Sequence, residues 1–340
     1  MEHINFILWE VFVVKEIWTR RMPALLAGLV LTLSLALPAY AAGAGSAESM
    51  DELTVMPIAE NQSYATYQNV RMQGRLKATD PEGGELRYEI LEMPQKGTVT
   101  LNEAEGNVFV YTPNTGKTGK DSFTFCVEDE DGNVSAPATV KVEILKSKTG
   151  IRYADMEDNA AHAASVRLAE EGVFTGRQVG KEFFFDPDAQ VSRSEFLAMA
   201  MSAAGIDQVP AVSVTGFSDD ENIPSWAKAY ASEALNAGVI SGQVENGRVV
   251  FSADTPITYS EAAAILNRTM AVTDVDAEAF SGENVPAWAV QSVANLSSVG
   301  VLSDGTDCNE TLTRAAAAEM LCAAMDLMES KSSGPFDWLK

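Results

Sequence analysis

Histidine is nearly missing from this chain, and basic residues are outnumbered two to one by acids. Only His3 and His162 are present among 340 residues. A nucleophilic triad would therefore have to be built on one of them. Lys and Arg total 24 against 48 Asp and Glu, a formal net charge of -24. Phosphate backbones want a basic surface, so nucleic acid is excluded as a partner. A polybasic membrane contact is excluded for the same reason. Cysteine is scarce too: Cys126, Cys308 and Cys322. No Cys/His spacing suited to zinc appears, and no metal or cofactor is expected. Paired carboxylates occur in any chain this acidic and carry no weight toward a glycosidase. The expectation is a protein without enzymatic activity.

Long apolar runs are also absent. The longest, Ala24 to Leu37, is short for a membrane span. It follows Arg20-Arg21 and precedes Pro38-Ala39-Tyr40-Ala41, an A-x-A cleavage pattern, so residues 1–41 read as a secretory signal. The stretch before Arg21 is long and apolar for such a segment, leaving Met1 and Met22 as alternative starts. Residues 42–54 are small and polar, a flexible leader. An odd cysteine count in a secreted chain rules out complete internal pairing. Cys126 falls mid-strand as a small hydrophobe, whereas Cys308 and Cys322 stand close enough in sequence to meet.

What is present is repetition. Val191-Ser192-Arg193-Ser194-Glu195 returns as Ile257-Thr258-Tyr259-Ser260-Glu261 and as Leu312-Thr313-Arg314-Ala315-Ala316. Each follows an apolar helical run closed by glycine: Gly172, Gly238 and Gly300. From glycine to motif centre is 21 positions in the first two copies (172 to 193, 238 to 259) and 14 in the third (300 to 314). Such periodicity outranks single motifs. Each copy reads as helix, loop, helix, at 153–205, 216–272 and 278–328, with a linker at 146–152 and a tail at 329–340. Ser192 and Thr258, each three residues ahead of a Glu, are capping boxes. Trp226, Tyr230 and Ala234 fall at i, i+4, i+8, which places a buried face there. Trp288 occupies the same place in the third copy, and Ala160 in the first.

Phe217-Ser218-Asp219 and Tyr153-Ala154-Asp155, the Trp-Ala helix starts, the glycine-ended helices and the Thr-Arg-Ala starts resemble the S-layer homology domain of bacterial surface proteins. The third copy departs with Gly282 for the opening Asp in Phe280-Ser281-Gly282 and Ala316 for Glu. The resemblance implies three units packed with pseudo-threefold symmetry. It also implies binding of secondary cell-wall polysaccharide, an anionic polymer of the pyruvate-ketal type, between the units. The motif Arg is the expected contact, here Arg193 and Arg314, with Tyr259 unable to replace it. A guanidinium beside the free N–H groups of a helix start suits a carboxylate. The plainer alternative is that both side chains are solvated or paired with nearby acids. Asp155 and Asp219 either orient a sugar hydroxyl or cap the following turn. Trp226 and Trp288 are core residues first and sugar platforms second.

From Val55 to Leu145 the period changes to two. Val70 to Leu76, Leu86 to Ile90, Val108 to Tyr111, Phe123 to Val127 and Val140 to Ile144 alternate or run apolar between turns such as Pro94-Gln95-Lys96-Gly97 and Pro113-Asn114-Thr115-Gly116. Some seven short strands over 55–145 predict an all-β sandwich. Ala78-Thr79-Asp80-Pro81-Glu82-Gly83, Lys96-Gly97-Thr98-Val99 and Gly119-Lys120-Asp121-Ser122-Phe123 resemble the cadherin-like, immunoglobulin-like modules of bacterial surface proteins. Some members bind Ca²⁺, for which Asp80, Glu82, Asp121 and Asp129 would be the donors; solvated turn acids are the commoner explanation. The reading is thus a multidomain chain, an Ig-like sandwich followed by a helix-rich threefold set. It would be a secreted protein held non-covalently at the cell wall. The sandwich is expected to act as spacer or adhesive module. Alternatives are an adhesin acting chiefly through the sandwich, or a subunit that recruits an enzyme.

Overall fold

The computed structural model describes residues 55–332, apart from 207, 273, 278–283 and 304. The signal and leader expectations, the opening Phe280-Ser281-Gly282 of the third unit and the tail beyond 332 lie outside the described residues. No helix among the described residues is long and apolar enough to cross a membrane.

The first half carries nine strands in chain order: β1 (Ile58–Ala59), β2 (Gln62–Tyr67), β3 (Met72–Arg75), β4 (Ala78–Thr79), β5 (Arg87–Glu92), β6 (Gly97–Leu101), β7 (Val108–Pro113), β8 (Gly119–Glu128) and β9 (Ala138–Leu145). Seven of them form two sheets, ordered β2-β9-β8-β5 and β3-β7-β6, while β1 and β4 pair alone. All pairings are antiparallel except β2 with β9, which run parallel. The alternation drives this: in β9, Val140, Val142 and Ile144 are buried while Lys141 and Glu143 face out. Between the sheets lie Phe109, Tyr111, Phe123 and Phe125, all essentially without solvent contact. Phe109 meets Phe123 edge-on at 5.1 Å between ring centres, an arrangement aromatic quadrupoles favour.

One buried carboxylate fixes the corner of the sandwich. Asp121 accepts hydrogen bonds from the Tyr111 hydroxyl at 2.7 Å and from the backbone N–H of Gln95 and Lys96 at 2.9 and 2.8 Å. Gly97 follows because a Cβ there would lie 2.6 Å from the Tyr111 ring and 2.7 Å from the Thr112 carbonyl. Asp121 is thus a backbone organiser, and its lone pairs are spent on donors.

The second half contains three helix pairs. Unit 1 has α1 (His162–Glu170), a hairpin of β10 (Arg177–Val179) and β11 (Glu182–Phe184), then α2 (Arg193–Ala203). Unit 2 has α3 (Lys228–Asn236), a hairpin of β12 (Gln243–Glu245) and β13 (Arg248–Val250), then α4 (Tyr259–Met270). Unit 3 has α5 (Val290–Ser298) and the long α6 (Arg314–Ser332). Asn246 and Gly247 turn the second hairpin with φ of 50° and 76°, the left-handed pair a tight hairpin demands. No hairpin occurs among the described residues of unit 3, which is why its glycine-to-motif spacing is shorter.

The first helix of every unit ends alike. Gly172, Gly238 and Gly300 sit at φ of 74°, 72° and 73°. The residue after each returns its N–H to a carbonyl one turn back: Val173 to Leu168, Val239 to Ala234, Val301 to Leu296, at 2.8 to 2.9 Å. This is the Schellman closure, and it leaves the following Val-Phe, Val-Ile or Val-Leu pair at the helix flank.

The face assigned to Trp226 needs correcting. Trp226 is half exposed at 50% and Trp288 is exposed at 61%. Neither is a core residue, because both precede their helices: the Ala227 N–H bonds back to Pro224, and the Ala289 N–H to Pro286. The stripe that α3 buries is Ala227, Ala231 and Ala234, at i, i+4 and i+7, with Trp226 outside it.

Sandwich and helical units share packing. Tyr67 and Val70, from the end of β2 and the turn after it, are buried in the helical core with Tyr153, Met156 and Ala161. The connecting segment is held by Glu170 at the end of α1. Its carboxylate accepts from Ser147 Oγ (2.6 Å), the Lys148 N–H (2.8 Å), the Thr149 N–H (3.1 Å) and Thr149 Oγ1 (2.7 Å).

Candidate functional site

The repeated motif is where the three units meet. Just ahead of each second helix, an apolar residue exchanges backbone hydrogen bonds with its counterparts. The Ile257 N–H donates to Val191, the Leu312 N–H to Ile257, and the Val191 N–H to Leu312, at 2.9, 2.9 and 3.1 Å. The three residues form a closed triangle, and all are buried.

The first two residues of each of these helices, one position beyond the cap, dock on the neighbouring unit. The N–H of Arg193 and of Ser194 reach the carbonyls of Thr255 and Ala253. Those of Tyr259 and Ser260 reach Glu310 and Cys308, and those of Arg314 and Ala315 reach Ala189 and Pro187. The third N–H of each helix takes the side-chain oxygen of Ser192, Thr258 or Thr313. In the first two units Glu195 and Glu261 complete the capping box. The first N–H donors of these helices are therefore already satisfied. The expectation of free N–H groups at the motif fails, since a helix start buried in an interface must find its acceptors inside the protein.

The two guanidiniums meet different surroundings. Arg193 is 6% exposed. Its Nε donates to the Phe251 carbonyl at 2.9 Å, its Nη1 lies 2.5 Å from Glu261 Oε1, and it stacks over the Phe251 ring. Glu261 also receives Gln243 Nε2 at 2.7 Å and the Thr258 N–H at 3.1 Å.

Arg314 makes the equivalent contact in the next junction, its Nη1 donating to the Phe185 carbonyl at 2.8 Å over the Phe174 ring. Its carboxylate neighbour is Asp186, 3.4 Å away. Asp186 is held more closely by Arg177, whose Nε and Nη2 stand 3.2 and 3.0 Å from it. The Arg177 guanidinium, with Arg314 beyond it, keeps the Asp186 carboxyl below its ordinary pKa. The third junction has Tyr259, and Ala316 where a capping Glu would stand. It opens into a cleft of about 1500 Å³ that the sandwich faces with Ser122, Lys141 and Glu143.

Asp155 and Asp219 brace the turns that receive these arginines. Asp155 accepts from the N–H groups of Phe185 and Asp186, and Asp219 from those of Phe251 and Ser252. Each spans a backbone turn in which Asp186 and Ser252 adopt φ of 54° and 56°. The turn each carboxylate caps is therefore a distant one, 30 to 33 positions on, and not the turn that follows it. These turns present the Phe185 and Phe251 carbonyls that accept from the arginines.

Of the sandwich acids, Asp121 is bonded as above, Asp129 takes Asn133, and Asp80 takes the Glu82 N–H. Among the described residues no group of three or more potential donors could hold a metal ion. The three cysteines are free thiols, with Cys308 directed to the Thr306 carbonyl and Cys322 to that of Ala164. Arg177, Asp186 and Phe174 were not singled out by sequence as junction residues. The signal that could have marked them is a difference between copies, since unit 2 carries Gln243 and Ser252 at the places of Arg177 and Asp186.

Residues 55–143 match the model of a bacterial Ig domain, and residues 216–263 that of the S-layer homology domain. The second match covers most of unit 2. The chain is 28% identical over 172 residues to the surface-layer 125 kDa protein of Lysinibacillus sphaericus. That alignment takes in 50% of this chain and 14% of the relative, so the chain spans only a small part of that protein's length. Among solved structures, the SrpA adhesin of Streptococcus sanguinis aligns over 30% of this chain and 62% of its own, at 17% identity and a TM-score of 0.24. The fibronectin(III)-like modules of Clostridium thermocellum CbhA align over 30% and 53%, at 17% identity and a TM-score of 0.21. A bacterial Ig domain joined to an S-layer homology domain is the make-up of a protein of the bacterial cell surface.

Proposed function

We propose that the three helical units anchor this chain non-covalently to the cell wall by binding secondary cell-wall polysaccharide of the pyruvate-ketal type at the junctions between units. All three units are read as S-layer homology repeats, including the two outside the family match. The sandwich then stands outward as spacer or adhesive module, and the chain has no catalytic part. The observation that carries this reading is the cyclic lock of three equivalent helix starts, which gathers guanidiniums at two junctions of a domain whose second unit matches the S-layer homology model. Half-exposed Trp226 and exposed Trp288 add aromatic faces of the kind that stack on sugar rings. An acidic protein would gain little from unspecific attraction to an anionic polymer, so specific cationic contacts have to supply the recognition.

The test is co-sedimentation of the full chain with wall sacculi before and after their polysaccharide is extracted. Retention on intact sacculi, lost after extraction, supports the reading. Equal retention on both, or none on either, sinks it. The full chain is the right reagent, because Tyr67 and Val70 of the sandwich belong to the helical core.

A further inference from the structure

Two carboxylates already sit at the arginine junctions: Glu261 against Arg193, and Asp186 between Arg177 and Arg314. An anionic ligand can use these arginines only by joining or displacing a carboxylate of the protein itself. The two occupied junctions differ in how readily they open.

At the first junction the pair is short and enclosed. The side chains of Arg193 and Glu261 are 8% and 15% exposed. Glu261 is also the capping residue of α4, so it cannot swing away without freeing the Thr258 N–H. Releasing Arg193 would strand a charge in a dry place, which is strongly unfavourable. Arg193 is a tie between units.

At the second junction the arrangement is looser. Arg314 and Asp186 are 3.4 Å apart, with side chains 16% and 34% exposed. Asp186 has a second and closer cation in Arg177, which is 56% exposed. Asp186 therefore can leave Arg314 without losing its charge partner. Both guanidiniums are buttressed by aromatic faces, Arg314 by Phe174 and Arg177 by Phe184, each at 5.2 Å. Stacking holds the planar fork in place while leaving its edge for paired hydrogen bonds to a carboxylate.

We propose that the junction of unit 3 with unit 1 holds a carboxylate site at Arg314, in which Asp186 stands in for the acid group of a saccharide and gives way to it by falling back on Arg177. The proposal rests on the wall-polysaccharide reading and narrows it to one junction. It assigns Asp186 as the residue that sets affinity, because an internal carboxylate competes with every external one. No atoms are exchanged: one ion pair replaces another at Arg314, and Asp186 stays with Arg177. A neutral sugar offers nothing able to compete with Asp186, so the device selects for acidic saccharides.

The experiment measures binding of the full chain to sacculi carrying pyruvylated polysaccharide, and to the same sacculi after mild acid has removed the ketal. Asp186→Asn keeps a residue that tolerates the left-handed backbone at this position and removes the competing charge. It is expected to bind intact sacculi roughly three- to tenfold more tightly than wild type, with no gain on ketal-free sacculi. Arg177→Ala and Arg314→Ala are each expected to weaken binding to intact sacculi by roughly ten- to hundredfold. Far-ultraviolet circular dichroism of each variant establishes that the fold is kept. Wild-type binding with unchanged affinity in Asp186→Asn and Arg177→Ala overturns this proposal and leaves the wall reading standing. A gain by Asp186→Asn that persists without the ketal also overturns it, since the carboxylate would then not be the competitor. A wild-type chain that binds neither kind of sacculus overturns both.

Discussion

Arg193 of unit 1 and Glu261 of unit 2 approach to 2.5 Å across the junction between them, and Glu261 at the same time caps the helix that follows. One carboxylate thus joins two units and starts a helix. Removing the arginine leaves that carboxylate enclosed with Gln243 and a backbone N–H as its remaining donors. Arg193→Ala should cost about 3 kcal/mol or more of stability, the usual penalty for orphaning one half of a buried pair. Urea unfolding followed by circular dichroism measures it. A loss below roughly 0.5 kcal/mol, the size of a surface substitution, would mean the pair is not a tie.

The sandwich has an equivalent dependence on Asp121. Burial alone would raise its pKa, but the Tyr111 hydroxyl and the N–H groups of Gln95 and Lys96 win and hold it below the ordinary value. A carboxyl depressed in the folded state contributes stability above its unfolded pKa and loses it as pH falls through the folded one. Asp121→Ala should lower sandwich stability by about 2 kcal/mol or more at neutral pH, and this difference from wild type should shrink below pH 3.8, its ordinary pKa. Unfolding curves at pH 7 and pH 3 give the comparison.

His162 predicts a pH response in a milder range. Burial, followed by the nearby Arg152 and Arg71, lowers its pKa to about 4. Its Nδ1 has no hydrogen-bond partner. The folded state therefore resists a proton that the unfolded chain accepts near 6.5, so stability is complete above that value and falls as pH drops from 6.5 toward 4. Thermal unfolding at pH 7 and pH 5 should show a smaller drop for His162→Leu than for wild type. Equal drops would place the pH dependence elsewhere.

Glu170 predicts a protease-sensitive linker. Its bonds to Ser147, Thr149 and Lys148 outweigh desolvation and take its pKa down to about 2. The hold should persist at neutral pH and weaken as pH falls from 4.5 toward that value. Glu170→Gln should let trypsin cut after Lys146 or Lys148 roughly tenfold faster at pH 8, because a charge-assisted hold worth about 1.5–3 kcal/mol is lost. Unchanged cleavage would show that the segment is ordered by something other than this carboxylate.

Much of this architecture was legible in residue order, for reasons that can be named. A period of two gave way to a helical period near residue 150, and the turn residues marked the strands. The three glycines had only one local role open to them, a left-handed helix end. The capping boxes were readable because both partners lie within four residues. Trp226 was misplaced because its spacing is helical although the helix begins two residues later. The junctions were beyond local reading. Val191, Ile257 and Leu312 look like ordinary helix-flanking hydrophobes, and nothing in their spacing says that their backbones meet. Arg314 finds Asp186 across 128 positions. Whether an arginine is solvated, sealed or exchangeable depends on the neighbour that distance brings, and that neighbour differs between copies.

The backbone triangle of Val191, Ile257 and Leu312 also sets how many units this domain can have. In a solenoid each repeat touches only the one before and the one after, so copies are added or lost with little consequence. Here the last helix start docks into the first loop, at Ala189 and Pro187. Two units would leave a buried donor and a buried acceptor without partners, and a fourth would have no edge on which to join. Copy number is thereby fixed by ring closure, and synthesis of the chain must reach Arg314 before unit 1 obtains its last neighbour.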